Sequence, residues 1–264
     1  MRRLRHKGNI ELKKFKSNKS TFIIYIFLRT IVVIEMVLAF MRGNYENLFL
    51  CILTLMLFMI PSFIQKKFHI ELPSVLETII LLFIFAAEIL GEICAYYVKF
   101  PFWDTMLHTI NGFLAAAIGF ALVDILNRNE RVSVSLSPVY QALVAFCFSM
   151  TIGVLWEFFE CGMDIFFNMD MQKDSIINII NSVKLNSDGH NIPVTIENIQ
   201  EVIINGKSLG VGGYLDIGLI DTMKDLFVNF IGAFIFSFFG YFYLKKRGKG
   251  KFITNFIPKV KWRN

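Results

Sequence analysis

The sequence predicts an all-α integral membrane protein with about six transmembrane helices in a bundle. Composition, the length of the apolar runs and the placement of the basic residues carry that reading. The 264-residue chain is 55% hydrophobic and 15% aromatic, with 29 phenylalanines, and its mean hydropathy is +0.55. Only 18% of residues are charged, below the quarter usual for soluble domains. One core of this length could not bury so much aromatic surface, whereas several apolar runs match the thickness of a bilayer's hydrocarbon region. The first run is too long for a cleaved leader, and no small-residue cleavage site follows it.

Taken in order, residues 1–20 form a basic tail carrying Arg2, Arg3, Arg5, Lys7, Lys13, Lys14, Lys16 and Lys19. Such a tail sets topology and touches anionic lipid. Six spans follow at roughly 21–41, 47–64, 74–98, 105–126, 138–161 and 217–244. Ser137-Pro138 reads as an N-cap with proline at the first helical position of the fifth. Residues 162–216 make one segment of about 50 residues outside the membrane, and 245–264 a second basic tail. In the 162–216 segment, Ile176, Ile177, Ile179, Ile180 and Val183 predict a short amphipathic helix on the membrane surface. Val194–Ile196 and Val202–Ile204, with Asn205-Gly206 after the second, predict short strands and a tight turn.

Lysine and arginine orient the spans. Both tails, Lys66, Lys67, Arg128 and Arg131 place twenty basic residues on one side, against Arg42, Lys99, Lys173, Lys184 and Lys207 on the other. The expected location is therefore the cell membrane, multi-pass, with both termini cytoplasmic. The net charge of +6 does not indicate nucleic acid, because the basic residues flank apolar runs instead of forming a polar domain. Cys51, Cys94, Cys147 and Cys161 are scattered singly, with neither metal-ligand spacing nor a disulfide framework.

Orientation turns scattered intramembrane charges into a site. Glu35, Glu88, Glu92, Asp104, Glu157, Glu160, Asp164, Asp221 and Asp225 all fall in the outer halves of the spans, with His108. Each ionised group in mid-bilayer costs roughly 2.5–3.5 kcal/mol, so together they would rival the ~5–15 kcal/mol that holds a domain folded. Lys99 and Lys224 are too few to neutralise them by pairing, which leaves protonation, hydration or bound cations. Asp104, and either Asp216 or Asp221, also suit helix N-caps. Capping cannot account for Glu88, Glu92, Glu157 or Glu160, which lie toward helix C-termini where the dipole opposes negative charge.

One imidazole with many carboxylates and no thiolate suits a divalent metal: Mg²⁺, Mn²⁺ or Ca²⁺, with Zn²⁺ also open. The expected ligands are Asp104, His108, Glu157, Glu160, Asp221 and Asp225, with His108 and Glu157 as catalytic candidates. Glu88, Glu92, Asn229 and Gly232 are supporting residues. Asp221, Asp225 and Asn229 recur every four residues with Gly232 three later, a single stripe on a helix.

Trp103-Asp104-x3-His108-x2-Asn111-Gly112, Trp156-Glu157-x2-Glu160 and Asp221-x3-Asp225-x3-Asn229-x2-Gly232 resemble the YjdF-type inner-membrane proteins of unknown function. More distantly, the layout is similar to the VanZ-like family, some of whose members are linked to teicoplanin resistance. Glu160 stands where VanZ-like proteins tend to have glutamine, and the arginine they place before the last aspartates is missing. The resemblance covers roughly 100–240 and implies site residues, not a reaction.

The first functional expectation is a metal-dependent hydrolase or transferase acting on a lipid-linked phosphate or headgroup at the outer leaflet. The alternatives are a non-catalytic envelope or resistance accessory and a cation- or proton-coupled transporter. Sparse charge in the inner halves and the absence of an inverted repeat count against transport. Membrane lipids are the expected partners.

Overall fold

The computed structural model describes residues 2–67, 70–127, 136–246 and 253–260; for 2–18 and 259–260 it describes the backbone alone. Arg128, Arg131, Arg247, Lys249, Lys251, Lys261 and Arg263, all used to orient the spans, lie outside the described residues. Six helices are long and apolar enough to cross a membrane: Lys19–Met41, Tyr45–Lys67, Ser74–Ile93, Trp103–Asn127, Pro138–Phe167 and Leu219–Lys245. They coincide with the six expected spans. The chain divides into two units, Met1–Ile152 with Val228–Asn264, and Gly153–Phe227.

In the first unit, helix α1 (Arg2–Met41) already includes the backbone of the expected N-terminal tail. Gly43, at φ 70°, turns the chain after it. Asn44 then caps α2 (Tyr45–Leu57) by accepting the Asn47 N–H at 3.0 Å. A turn at Phe58-Met59 leads into α3 (Ile60–Lys67), where Pro61 sits in the first turn and needs no N–H partner. Leu28, Val32, Cys51, Phe58, Leu81, Ile84 and Ile89 bury one apolar cluster among α1, α2 and the next span.

That third span was expected as one helix to residue 98. Instead α4 (Ser74–Phe85) widens into a π-helix over Ala86–Ile93, and Ala95 breaks the path at φ 57° before α5 (Tyr96–Lys99). Gly91 makes room for the Tyr97 ring, and the Trp103 indole donates to the Ala86 carbonyl at 3.3 Å. The first packs the π segment against α5, and the second fastens it to the start of α6 (Trp103–Asn127).

Helix α6 is central. In its apolar window 56% of residues are buried, against 17–33% in the other spans. Ala115, Ala116, Ala117, Gly119 and Ala121 let neighbours approach its backbone closely, the usual device where helices pack without a water-driven force. The main core joins Leu114, Ala116, Ala117 and Phe120 to Leu76, Ala145 of α7 (Pro138–Phe167), and Ala233 and Phe236 of α8 (Leu219–Lys245).

The same core contains residues that charge alone assigned to a plain C-terminal tail. Ile253, Phe256 and Ile257 are buried in it, and Phe256 meets the Phe113 ring edge-on at 5.0 Å and the Phe236 ring at 6.1 Å. Beyond them, β1 (Ile70–Glu71) pairs antiparallel with β8 (Lys259–Val260). Phe256→Ala should therefore lower stability by about 3–5 kcal/mol, while Phe22→Ala, on an exposed ring, should change it little. Chemical denaturation of the detergent-solubilised variants distinguishes the two.

The second unit carries the C-terminal part of α7, the segment linking α7 to α8, and the start of α8. The expected amphipathic helix over 176–183 is absent and has to be corrected. Residues Ile176–Ile177 (β2) pair with Tyr214–Leu215 (β7), Ile180–Ser182 (β3) pairs with Val194–Ile196 (β4), and only Val183–Leu185 turns, as one 3₁₀ turn capped by Ser182. The spacing of these residues does not exclude a helix, but their β-branched side chains favour extended backbone, and the cross-strand pairing fixes it. The expected turn at Asn205-Gly206 does close a hairpin, between Ile203–Ile204 (β5) and Lys207–Ser208 (β6), with positive φ at both turn residues.

Carboxylates sew this linking segment to its helices. Asp164 accepts the N–H groups of Met171 (2.6 Å) and Gln172 (2.9 Å). Asp216 accepts those of Ser175 (2.7 Å), Ile220 (2.8 Å) and Gly218 (3.4 Å). The second set caps α8 while Ile217 is held at φ 51°, a conformation β-branched residues avoid. Burial pushes the Asp216 carboxyl upward, but those N–H donors outweigh it and hold it below the usual carboxylate range. Asp174 moves the other way, raised by burial and by the neighbouring Asp170, Asp216 and Asp164 carboxylates. The Asp216 contribution is accordingly present above the unfolded value of about 3.9 and is lost as pH falls through the lower folded value. Asp216→Asn should speed amide exchange at Ser175 and Ile220 at neutral pH and remove that acid-sensitive step.

Candidate functional site

In the first unit the site begins at the N-terminus of α6, fastened by the Trp103 indole. Asp104 and His108, one turn apart, bring Oδ1 and Nε2 to 3.5 Å. His108 is buried and Asp104 half-buried, so the pair lies between apolar surroundings and the helix's free N–H groups, where negative charge is favoured. One turn further on, a polar layer ties three helices together. Ser149 on α7 donates to the Gly112 carbonyl at 2.7 Å, and the Asn229 amide on α8 reaches the Ser149 carbonyl at 3.4 Å. Two glycines set the spacing. A Cβ at Gly112 would strike the Asn229 backbone, and one at Gly232 would strike the Thr109 carbonyl and the Phe113 N–H.

Asn229 and Gly232, expected as supporting residues, thus have a definite structural role, letting α6 and α8 touch backbone to backbone. Ser149 completes the layer and was not singled out from the sequence. A lone serine in an apolar run is a weak signal, since its hydroxyl can be satisfied within its own helix. Glu88 is half-buried and Glu92 exposed on the π-helix. Neither belongs to a ligand-distance group with His108 among the described residues.

In the second unit Glu157 and Glu160 stand on one face of α7, three residues apart, and Asp225 lies on α8. All three are buried, Asp225 to 1% exposure. The Trp156 indole donates to Glu160 Oε1 at 2.8 Å, which fixes the orientation of the carboxylate. Asp221 is engaged differently. It accepts the Lys173 N–H at 2.9 Å and has the Lys224 ammonium at 3.9 Å, so it fastens the linking segment to α8. The candidate ligands are thus divided: Asp104 and His108 belong to the first unit, and Glu157, Glu160 and Asp225 to the second.

The family model described as predicted membrane protein, DUF2238, matches residues 23–246. The chain belongs to the DUF2238 family. The match spans all six helices, so the DUF2238 assignment applies to the membrane portion as a whole and includes every one of these candidate ligands. No curated protein and no solved structure matches the chain.

Proposed function

We propose that this DUF2238 protein is a divalent-metal-dependent hydrolase or transferase acting on a lipid-linked phosphate or polar headgroup at the outer leaflet. Asp104, His108, Glu157, Glu160 and Asp225 are the proposed ligand set. The observation that carries the reading is the presence of three almost fully buried carboxylates, Glu157, Glu160 and Asp225, in a membrane protein that also buries His108. Carboxylates buried together with an imidazole are the donor types that divalent cations take.

The position of each proposed ligand along its own helix supports the reading. The layer of Gly112, Ser149 and Asn229 marks a common level on α6, α7 and α8. One turn toward the N-terminus from that level comes His108 on α6 and Asp225 on α8, and two turns on along α7 comes Glu157. Because α7 runs opposite in sense to α6 and α8 in an alternating six-span chain, all three steps lead toward the same membrane face. The excess of basic residues on the opposite side makes that face the outer one and leaves both termini cytoplasmic. Within DUF2238, Glu160 in place of glutamine and the missing arginine before the last aspartates fit the YjdF-type pattern better than the VanZ-like one.

A bound metal would supply Lewis-acid polarisation of a phosphoryl oxygen and a water of lowered pKa. His108 or Glu157, whichever is not a ligand, would take the proton of the attacking water, and Asp104 would orient the imidazole. Transport is the weaker reading, because Phe113, Phe120, Phe236 and Phe256 fill the core of the first unit with aromatic rings.

The test is elemental analysis of the purified protein, then phosphate or headgroup release from lipid phosphates in mixed micelles with Mg²⁺, Mn²⁺, Ca²⁺ and Zn²⁺ in turn. Bound metal with metal-stimulated turnover is expected. Protein that contains no divalent metal and turns over none of these substrates overturns the proposal.

A further inference from the structure

The segment between α7 and α8 has almost no interior. From residue 169 to 218 only Gly213, Asp216 and Gly218 are buried, while Ile176, Ile179, Ile192, Ile196, Ile203 and Ile204 are exposed. Two-stranded hairpins without a core are marginal in water, and so many exposed aliphatic side chains in one segment mark an interaction site.

The β3–β4 pair shows how the surface is built. Ile180 faces Ile196 and Ser182 faces Val194 on one side of the ribbon, while Asn181 faces Thr195 on the other. On that second side the Thr195 hydroxyl bonds to the Asn181 side-chain oxygen at 2.6 Å. One face is aliphatic, with Ile196 43% and Val194 38% exposed, and the other is satisfied and polar.

We propose that this aliphatic face lies on the membrane surface, so that the α7–α8 segment is an interfacial platform for a lipid surface of low negative charge. Two observations choose this occupant. The strands are continuous, within the same unit, with helix ends that must face lipid: Phe158, Phe166 and Phe167 on α7, and Leu219, Met223 and Phe227 on α8, are all exposed. The segment itself also carries Asp170, Asp174, Asp188, Glu197, Glu201 and Asp216 against Lys173, Lys184 and Lys207. That negative excess repels a second copy and anionic headgroups but does little against a zwitterionic surface. Apolar side chains at headgroup depth are stabilised by the area they remove from water. The inference does not rest on the metal reading.

The test places p-benzoylphenylalanine at Ile196, Ile203 or Thr195 of the full chain, reconstituted in phosphatidylcholine bilayers and in bilayers with added phosphatidylglycerol. On irradiation, Ile196 and Ile203 should give lipid adducts severalfold more often than Thr195, with yields falling as phosphatidylglycerol rises. A crosslinked dimer, or equal yields at Thr195 and Ile196, overturns the proposal. So does the absence of any adduct at Ile196. In native membranes, a dominant adduct to another protein does the same and identifies the competing occupant.

Discussion

Asp225→Ala is expected to strip divalent metal from the purified protein and abolish any metal-stimulated turnover. Asp225 is 1% exposed on α8, one turn from the Asn229 that ties α8 to α7. Removing an outer-sphere partner of a metal ligand typically costs about 10–100-fold in affinity, and loss of a ligating carboxylate should cost more than that. Asp225→Asn separates charge from shape. It keeps the volume and one acceptor oxygen, so a purely structural Asp225 would tolerate it, whereas a metal ligand would not. Unchanged metal content in the asparagine variant removes Asp225 from the site. His108→Ala should act in the same direction, and combining it with Asp225→Ala should add little once the ion is already gone. Asp221→Asn is the contrasting control. Its carboxylate receives the Lys173 N–H, so the variant should loosen the linking segment and leave metal content intact.

What was legible in the sequence followed from strong physical constraints. A helix must satisfy its own backbone in lipid, so the six spans could be placed from the length of their apolar runs alone. The cost of buried charge singled out nine carboxylates and His108 alike, and it could not say in advance that His108, Glu157, Glu160 and Asp225 are the buried ones. Features set by pairwise fit were not legible. Ile253, Phe256 and Ile257 sit in a basic stretch, and only their packing against Phe113 and Phe236 reveals a core element. The π-helix over Ala86–Ile93 depends on Tyr97 and Trp103 docking against it, beyond the reach of local periodicity. In the α7–α8 segment, the spacing of Ile176, Ile177, Ile179 and Ile180 fits a helix on one count and strands on another. Pairing with Leu215, Tyr214 and Ile196 decides in favour of strands.

Gly232→Ala should be among the most disruptive single-carbon additions in the protein. The added Cβ would lie against the Thr109 carbonyl and the Phe113 N–H. Both are backbone of α6, which cannot swing aside as a side chain can. Overpacking of this kind costs typically about 1–3 kcal/mol and occasionally more, and relief requires α8 to move away from α6. That movement strains the layer in which Asn229 reaches the Ser149 carbonyl at 3.4 Å, on the same helix that carries Asp225. Gly232→Ala is therefore expected to lose both stability and metal, unlike Phe256→Ala, which should lose stability while keeping its metal when folded. Gly162→Ala is the neutral comparison, since its nearest neighbour is a Phe166 ring carbon at 4.0 Å. Denaturation midpoints and metal content measured on the three variants together test the arrangement. A Gly232→Ala protein as stable and as metal-rich as the parent would mean that α6 and α8 do not meet backbone to backbone at this level.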